Sequence, residues 1–114
     1  MKKVLIVEDE QSFNCYYRGR LSERVNLTII DNLKDVEDFI NKNPDIDLIT
    51  MDGNIIGGTT VALVRKIRAT FKGLIVATSF NPDLQKELLS AGCDYKVDKA
   101  DLPKAVVRLL DLPA

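Results

Sequence analysis

The sequence predicts an α/β domain built on one doubly wound parallel sheet, and three observations predict it. Short apolar runs of strand length recur along the chain. Between them, apolar residues return at three- and four-residue steps, the spacing of one helix face. Acidic residues gather at the ends of two of the runs, Glu8-Asp9 after the first and Asp52 after the third. Strands that alternate with helices form a parallel sheet covered on both faces, joined by right-handed crossovers.

Taken in order, the strands are predicted at Lys3–Val7, Asn26–Ile30, Leu48–Met51, Leu74–Thr78 and Tyr95–Asp98, each bounded by turn or acidic residues. The helix faces are Phe13/Tyr16/Tyr17/Leu21, Val36/Phe39/Ile40, Val61/Val64/Ile67, Leu84/Leu88/Ala91 and Val106/Leu109/Leu110. Asn81-Pro82 reads as an N-cap followed by a proline at the first helical position, Asp101 as the cap of the last helix, and Gly92 as a helix terminator. Gly57-Gly58 is the one glycine pair and reads as a turn between the third strand and Thr60. It lacks the further glycine of a dinucleotide fingerprint and the Gly-Lys-Ser/Thr of a phosphate loop.

The 114 residues, 46% apolar and 29% charged, fit one compact domain over 1–114 with one real core. With 16 basic against 17 acidic residues the net charge is -1, so no charge field argues for nucleic acid or an anionic membrane as a partner. No apolar run approaches the ~20 residues of a membrane span, and Met1-Lys2-Lys3 leads straight into a strand rather than a secretory signal. A cytoplasmic, reduced protein is expected, with Cys15 and Cys93 as isolated, buried or half-buried small apolar residues. Histidine is absent, which removes Ser/His/Asp triads, Cys/His dyads and imidazole ligation. Any metal must be held by oxygen.

If the first and third strands are neighbours, Glu8, Asp9 and Asp52 converge at the carboxyl edge of the sheet, where open α/β sheets bind ligands. Carboxylates so placed repel one another unless a cation neutralises them. A Mg²⁺ ion suits such a set, taking Asp9 and Asp52 directly, Glu8 through a water and a loop carbonyl such as that of Asn54. Mn²⁺ is an alternative ion. Thr78 at the end of the fourth strand supplies a hydroxyl and Lys99 after the fifth a mobile cation. Together these groups meet the main demand of phosphoryl transfer, neutralising charge on a phosphoryl group in transit, with Asp52 as the nucleophile.

Over essentially its whole length the sequence resembles the receiver domain of two-component response regulators. The stretches that carry the resemblance are Val4-Leu5-Ile6-Val7-Glu8-Asp9-Glu10, Asp47-Leu48-Ile49-Thr50-Met51-Asp52, Leu74-Ile75-Val76-Ala77-Thr78-Ser79, and Ala91-Gly92-Cys93-Asp94 running to Lys99. The resemblance implies a flavodoxin-like (βα)5 fold of strand order 2-1-3-4-5. It implies Asp52 as phosphoacceptor, Glu8 and Asp9 as the metal-binding pair, Asn54 giving its carbonyl to the metal, Thr78 as the switch hydroxyl and Lys99 as the lysine on the phosphoryl group. It further implies a phosphohistidine on a kinase or phosphotransfer protein as donor, Mg²⁺ as cofactor, and a downstream protein, an attached output domain or a phosphorylation-dependent dimer as reader. Such a domain is a signalling switch rather than an enzyme, and Asn54 and Phe80 are placed to tune the lifetime of its phosphate.

The sequence departs from the family pattern at several points. Ala100 follows Lys99 where a proline, often in a cis bond, is usual. A cis bond before a non-proline costs several kcal/mol, so this loop either keeps the strain or takes another path. Lys96 stands where an aromatic switch residue is expected, with Tyr95 one position earlier, Ile56 replaces a common proline, and Ser79 a usual alanine. Two other functions share part of the pattern. A pseudo-receiver would bind a partner without being phosphorylated. A haloacid-dehalogenase-type phosphatase needs a second Asp two residues after the nucleophile, where this chain has Asn54. A flavin carrier of the same topology would need a Ser/Thr-rich phosphate loop where Glu8-Asp9-Glu10 would repel the flavin phosphate.

Overall fold

The computed structural model describes residues 1–113. Five parallel strands form the main sheet: β1 (Lys3–Val7), β2 (Asn26–Ile30), β3 (Leu48–Asp52), β6 (Leu74–Thr78) and β7 (Tyr95–Val97), in the order β2-β1-β3-β6-β7. Counted within this sheet alone, that is the expected order 2-1-3-4-5. The helices α1 (Gln11–Leu21), α2 (Leu33–Lys42), α3 (Val61–Arg68), α4 (Pro82–Ala91) and α5 (Leu102–Leu109) make the crossovers. The short strands β4 (Asn54–Ile55) and β5 (Gly58–Thr59) form a separate antiparallel ribbon after β3.

The two-residue period of the strands divides the core into two layers. Leu5 and Val7, Ile49 and Met51, and Ile75 and Ala77 face one way and pack with Val36, Val64 and Leu88 of α2, α3 and α4. Val4, Ile6, Leu48 and Val76 face the other way, onto Tyr17 and Leu21 of α1 and Leu102 and Val106 of α5. Both faces of β1 and β3 are buried, so these strands read as continuous apolar runs rather than as alternation. Among the described residues no helix is long and apolar enough to cross a membrane.

Three local features differ from expectation. β3 runs one residue further than Met51 because Asp52 pairs with Thr78 of β6. β7 stops at Val97, since Asp98 begins a 3-10 turn (Lys99–Asp101) in which the Asp101 N–H donates to the Asp98 carbonyl at 2.9 Å. Asp101 stands at the N-cap position of α5, but its side chain makes no capping hydrogen bond there, because the 3-10 turn runs directly into the helix. Gly57-Gly58 forms the expected turn between β3 and Thr60, as the tip of the β4/β5 hairpin, and φ values of 110° and 129° at these residues explain why glycine stands there. Asn81 behaves as expected, its side chain accepting from the N–H groups of Asp83 and Leu84 at 3.0 and 3.2 Å.

Gly92 ends α4 at φ 134° and sits against Arg68. Arg68 latches the loops before β6 and β7 together, donating to the carbonyls of Gly92, Phe71 and Gly73 and pairing with Asp94 at 3.0 Å. A Cβ at position 92 would lie 2.7 Å from Arg68 Cγ and on a backbone that side chains rarely adopt. Gly92→Ala is expected to lower the unfolding free energy in urea by about 1–3 kcal/mol. Cys93, next in the chain, is buried as expected, and that burial pushes its thiol up to about 12, whereas Cys15, against expectation, is exposed, because it lies on the face of α1 turned from Tyr17 and Leu21. Iodoacetamide applied to the native protein near pH ~8 is expected to modify Cys15 alone, and unfolding to open Cys93 as well, as peptide mass mapping will show.

Candidate functional site

Following the pleat to the ends of β3 and β6, and one residue past β1, places three polar side chains on the α1/α5 face. Glu8 follows Ile6 by two, Asp52 follows Leu48 by four, and Thr78 follows Val76 by two. All three are buried, and Lys99 joins them from the 3-10 turn, two residues past Val97. The Lys99 Nζ lies 2.8 Å from Glu8 Oε1 and 3.0 Å from Asp52 Oδ2. Glu8, Asp52 and Lys99 are only 1%, 5% and 5% exposed, so this is an ion triad inside the protein rather than a surface pair.

Burial raises the Asp52 carboxyl, and the charge of Glu8 raises it further against the pull of Lys99, to about 6. For Lys99, burial pulls the pKa down, but the attraction of the Glu8 and Asp52 carboxylates together outweighs burial and the net shift is upward. Two carboxylates facing one ammonium leave the site short of positive charge.

The donor set suits a hard cation. One oxygen from each of Glu8, Asp9 and Asp52 lies within 4.8 Å of the other two, and all are carboxylate oxygens. In the β4/β5 ribbon the Thr60 N–H donates to the Gly53 carbonyl at 3.0 Å, which makes the adjoining Asn54–Thr59 pair non-hydrogen-bonded and turns the Asn54 N–H and C=O out of the ribbon. The Asn54 N–H accordingly points toward Asp52 Oδ1, 3.5 Å away. Thr60 fixes the end of β3 from the other side, its hydroxyl donating to the Asp52 carbonyl at 2.7 Å.

Aromatic rings surround the lysine. Phe13 of α1 and Phe80, which is 70% exposed, lie 5.3 and 5.2 Å from the Lys99 Nζ, within cation-π range. Tyr17 and Tyr16 donate their hydroxyls to the carbonyls of Lys99 and Ala100, each at 2.9 Å. The Lys99–Ala100 peptide is trans, so the loop takes the unstrained path. Sequence reasoning read Phe13, Tyr16 and Tyr17 only as a helix face and passed over Thr60. Two tyrosines where leucines would pack as well were the available signal, since a buried phenol seeks a partner.

The departures have definite places. Lys96 and Tyr95 are exposed, and Lys96 lines a cavity of about 250 Å³ beside Gln85, Val97 and Asp98. Ser79 is buried, its hydroxyl accepting from the Asn81 N–H at 3.1 Å, so it serves the turn into α4. Ile56 is exposed at the tip of the ribbon.

No family model matches the chain, and no curated protein matches it. Solved structures do. A two-component response regulator from Clostridium difficile superposes with a TM-score of 0.85 at 22% identity, covering 97% of each chain. A CheY-like response regulator receiver domain from Methylobacillus flagellatus gives 0.80 at 23% identity, also over 97% of each. The signal receiver domain of a Luxo repressor protein from Vibrio parahaemolyticus gives 0.79 at 21% identity over 95% of this chain and 88% of that one. The chain has the fold of response-regulator receiver domains.

Asp9 is half-buried and makes no ion pair among the described residues, so the fold does not lean on its charge. Mg²⁺ at ten times its dissociation constant is expected to add about 1.4 kcal/mol to the stability of the protein, read as a rise in thermal midpoint. Asp9→Asn is expected to leave the metal-free midpoint unchanged and to abolish that rise.

Proposed function

We propose that the chain is a phospho-accepting signalling switch of a two-component system, in which the Asp52 carboxylate takes a phosphoryl group from a phosphohistidine on a kinase or phosphotransfer partner. The observation that carries this reading is the ion triad at the sheet edge: a buried carboxylate held 3.0 Å from a lysine and short of positive charge. Mg²⁺, held by Glu8, Asp9, Asp52 and the Asn54 carbonyl, would supply charge neutralisation for the phosphoryl oxygens. An Asp52 oxygen attacks phosphorus and the P–N bond breaks. Its electron pair returns to the ring nitrogen, which leaves as neutral imidazole when the other nitrogen carries a proton. Lys99 then contacts a phosphoryl oxygen, and the Thr78 hydroxyl turns toward another. Water later hydrolyses the acyl phosphate, with Asn54 and Phe80 flanking its approach. The domain is a switch rather than an enzyme acting on other molecules, and its readers are a downstream protein, an attached output domain or a second phosphorylated copy.

A phosphatase of the haloacid-dehalogenase type is disfavoured by Asn54, which offers no acid/base carboxyl in its side chain. The pseudo-receiver reading is favoured by one feature, the altered fifth-strand region, where the exposed Lys96 stands in place of an aromatic residue. Incubation with Mg²⁺ and phosphoramidate separates the readings. One added phosphoryl group by intact mass, lost in Asp52→Asn and on chelation of the metal, is the expected result. No mass gain favours the pseudo-receiver, and steady turnover of phosphomonoesters favours the phosphatase.

A further inference from the structure

The loop that presents Lys99 has little of its own to hold it. It is a three-residue 3-10 turn with Ala100 at its centre, between a three-residue strand and α5. Beyond the turn's own bonds, from Asp101 N–H to Asp98 and Leu102 N–H to Lys99, its backbone is anchored by α1. The Tyr17 hydroxyl donates to the Lys99 carbonyl and the Tyr16 hydroxyl to the Ala100 carbonyl, so two consecutive peptides of the turn are tied to one helix. The same helix reaches the other end of the lysine, because Phe13 stacks on Tyr17 with ring centroids 5.9 Å apart and lies beneath the ammonium. One rigid element thus constrains both the backbone and the head of the side chain.

Filling the core does not require these hydroxyls. Phe13 shows that an unsubstituted ring is accommodated on this face, and Tyr17 is fully buried with its ring packed among apolar residues. What the hydroxyl adds is a fixed distance between α1 and the turn. We infer that Tyr17 and Tyr16 are positioning residues for Lys99, holding its backbone so that the ammonium meets Asp52. The inference rests on the phosphoryl-transfer reading for its consequence, but not for its geometry. A reacting group displaced by about 1 Å loses up to 10²-fold in rate, so the anchorage has leverage on the reaction.

The test uses Tyr17→Phe and Tyr16→Phe, alone and combined with Lys99→Met. Tyr17→Phe is expected to fold, because the Lys99 carbonyl also accepts from the Leu102 N–H; Tyr16, half-buried, gives a second and milder variant. Phosphorylation by phosphoramidate at saturating Mg²⁺ is expected to slow about tenfold in Tyr17→Phe, and less in Tyr16→Phe. Neither change is expected to slow the Lys99→Met protein further, since the hydroxyls act through the lysine. An equal fractional loss in both backgrounds would show a structural role only and overturn the inference. A second readout needs no phosphorylation: in the metal-free protein, Tyr17→Phe is expected to shift the Lys99 ammonium resonance and the amides of residues 98–101. Unmoved resonances there overturn the positioning role. If the wild-type protein accepts no phosphoryl group, the proposed function falls while these resonances still decide the inference.

Discussion

Two carboxylates buried side by side need a cation, and Lys99 is the one the chain supplies. Glu8 comes from the end of β1, Asp52 from the end of β3, and Lys99 from the turn after β7. Any one of them buried alone would cost several kcal/mol in lost hydration. The three become tolerable only when strand order, register and the 3-10 turn are all in place. The upper edge of the sheet is therefore one cooperative unit, and its residual negative charge leaves it suited to a further cation.

The two layers of the core divide the labour. On the α2/α3/α4 side, hydrocarbon meets hydrocarbon along the length of the strands. On the α1/α5 side the apolar layer of Val4, Ile6, Leu48 and Val76 gives way at the strand ends to Glu8, Asp52 and Thr78. The same pleat that fills the core aims the polar groups. Helix α1 lies over this transition, with Leu21 in the apolar layer at one end and Phe13, Tyr16 and Tyr17 against the lysine turn at the other. Its aromatic residues are both core and scaffold.

Fold likeness to receiver domains at 22 or 23% identity says how the backbone runs, and the side chains of this chain say what is peculiar to it. Lys96 faces solvent where a receiver usually places an aromatic switch residue, and Ala100 gives the lysine loop no proline. In their place the structure offers a rim lined by Lys96 and Gln85, and a turn tied to α1 by two phenols.

The sequence by itself determined the alternation of strands and helices, because apolar period is a local property, and it determined which residues stand at strand ends. From Glu8, Asp9, Asp52, Thr78 and Lys99 a common site was legible once the strands were taken as parallel, since parallel strands present all their carboxyl ends on one edge. Where β3 ends was decided by its partner Thr78, and where β7 ends by the hydrogen bond from Asp101 to Asp98. The idle side chain of Asp101, the Gly57-Gly58 hairpin, the hydroxyl of Thr60 on β3 and the tyrosine ties to residues 99 and 100 also belong to the tertiary structure alone. Each is decided by hydrogen bonds made elsewhere in the chain, whose partners are set by packing and chain path rather than by apolar period, and periodicity carries no record of such partners.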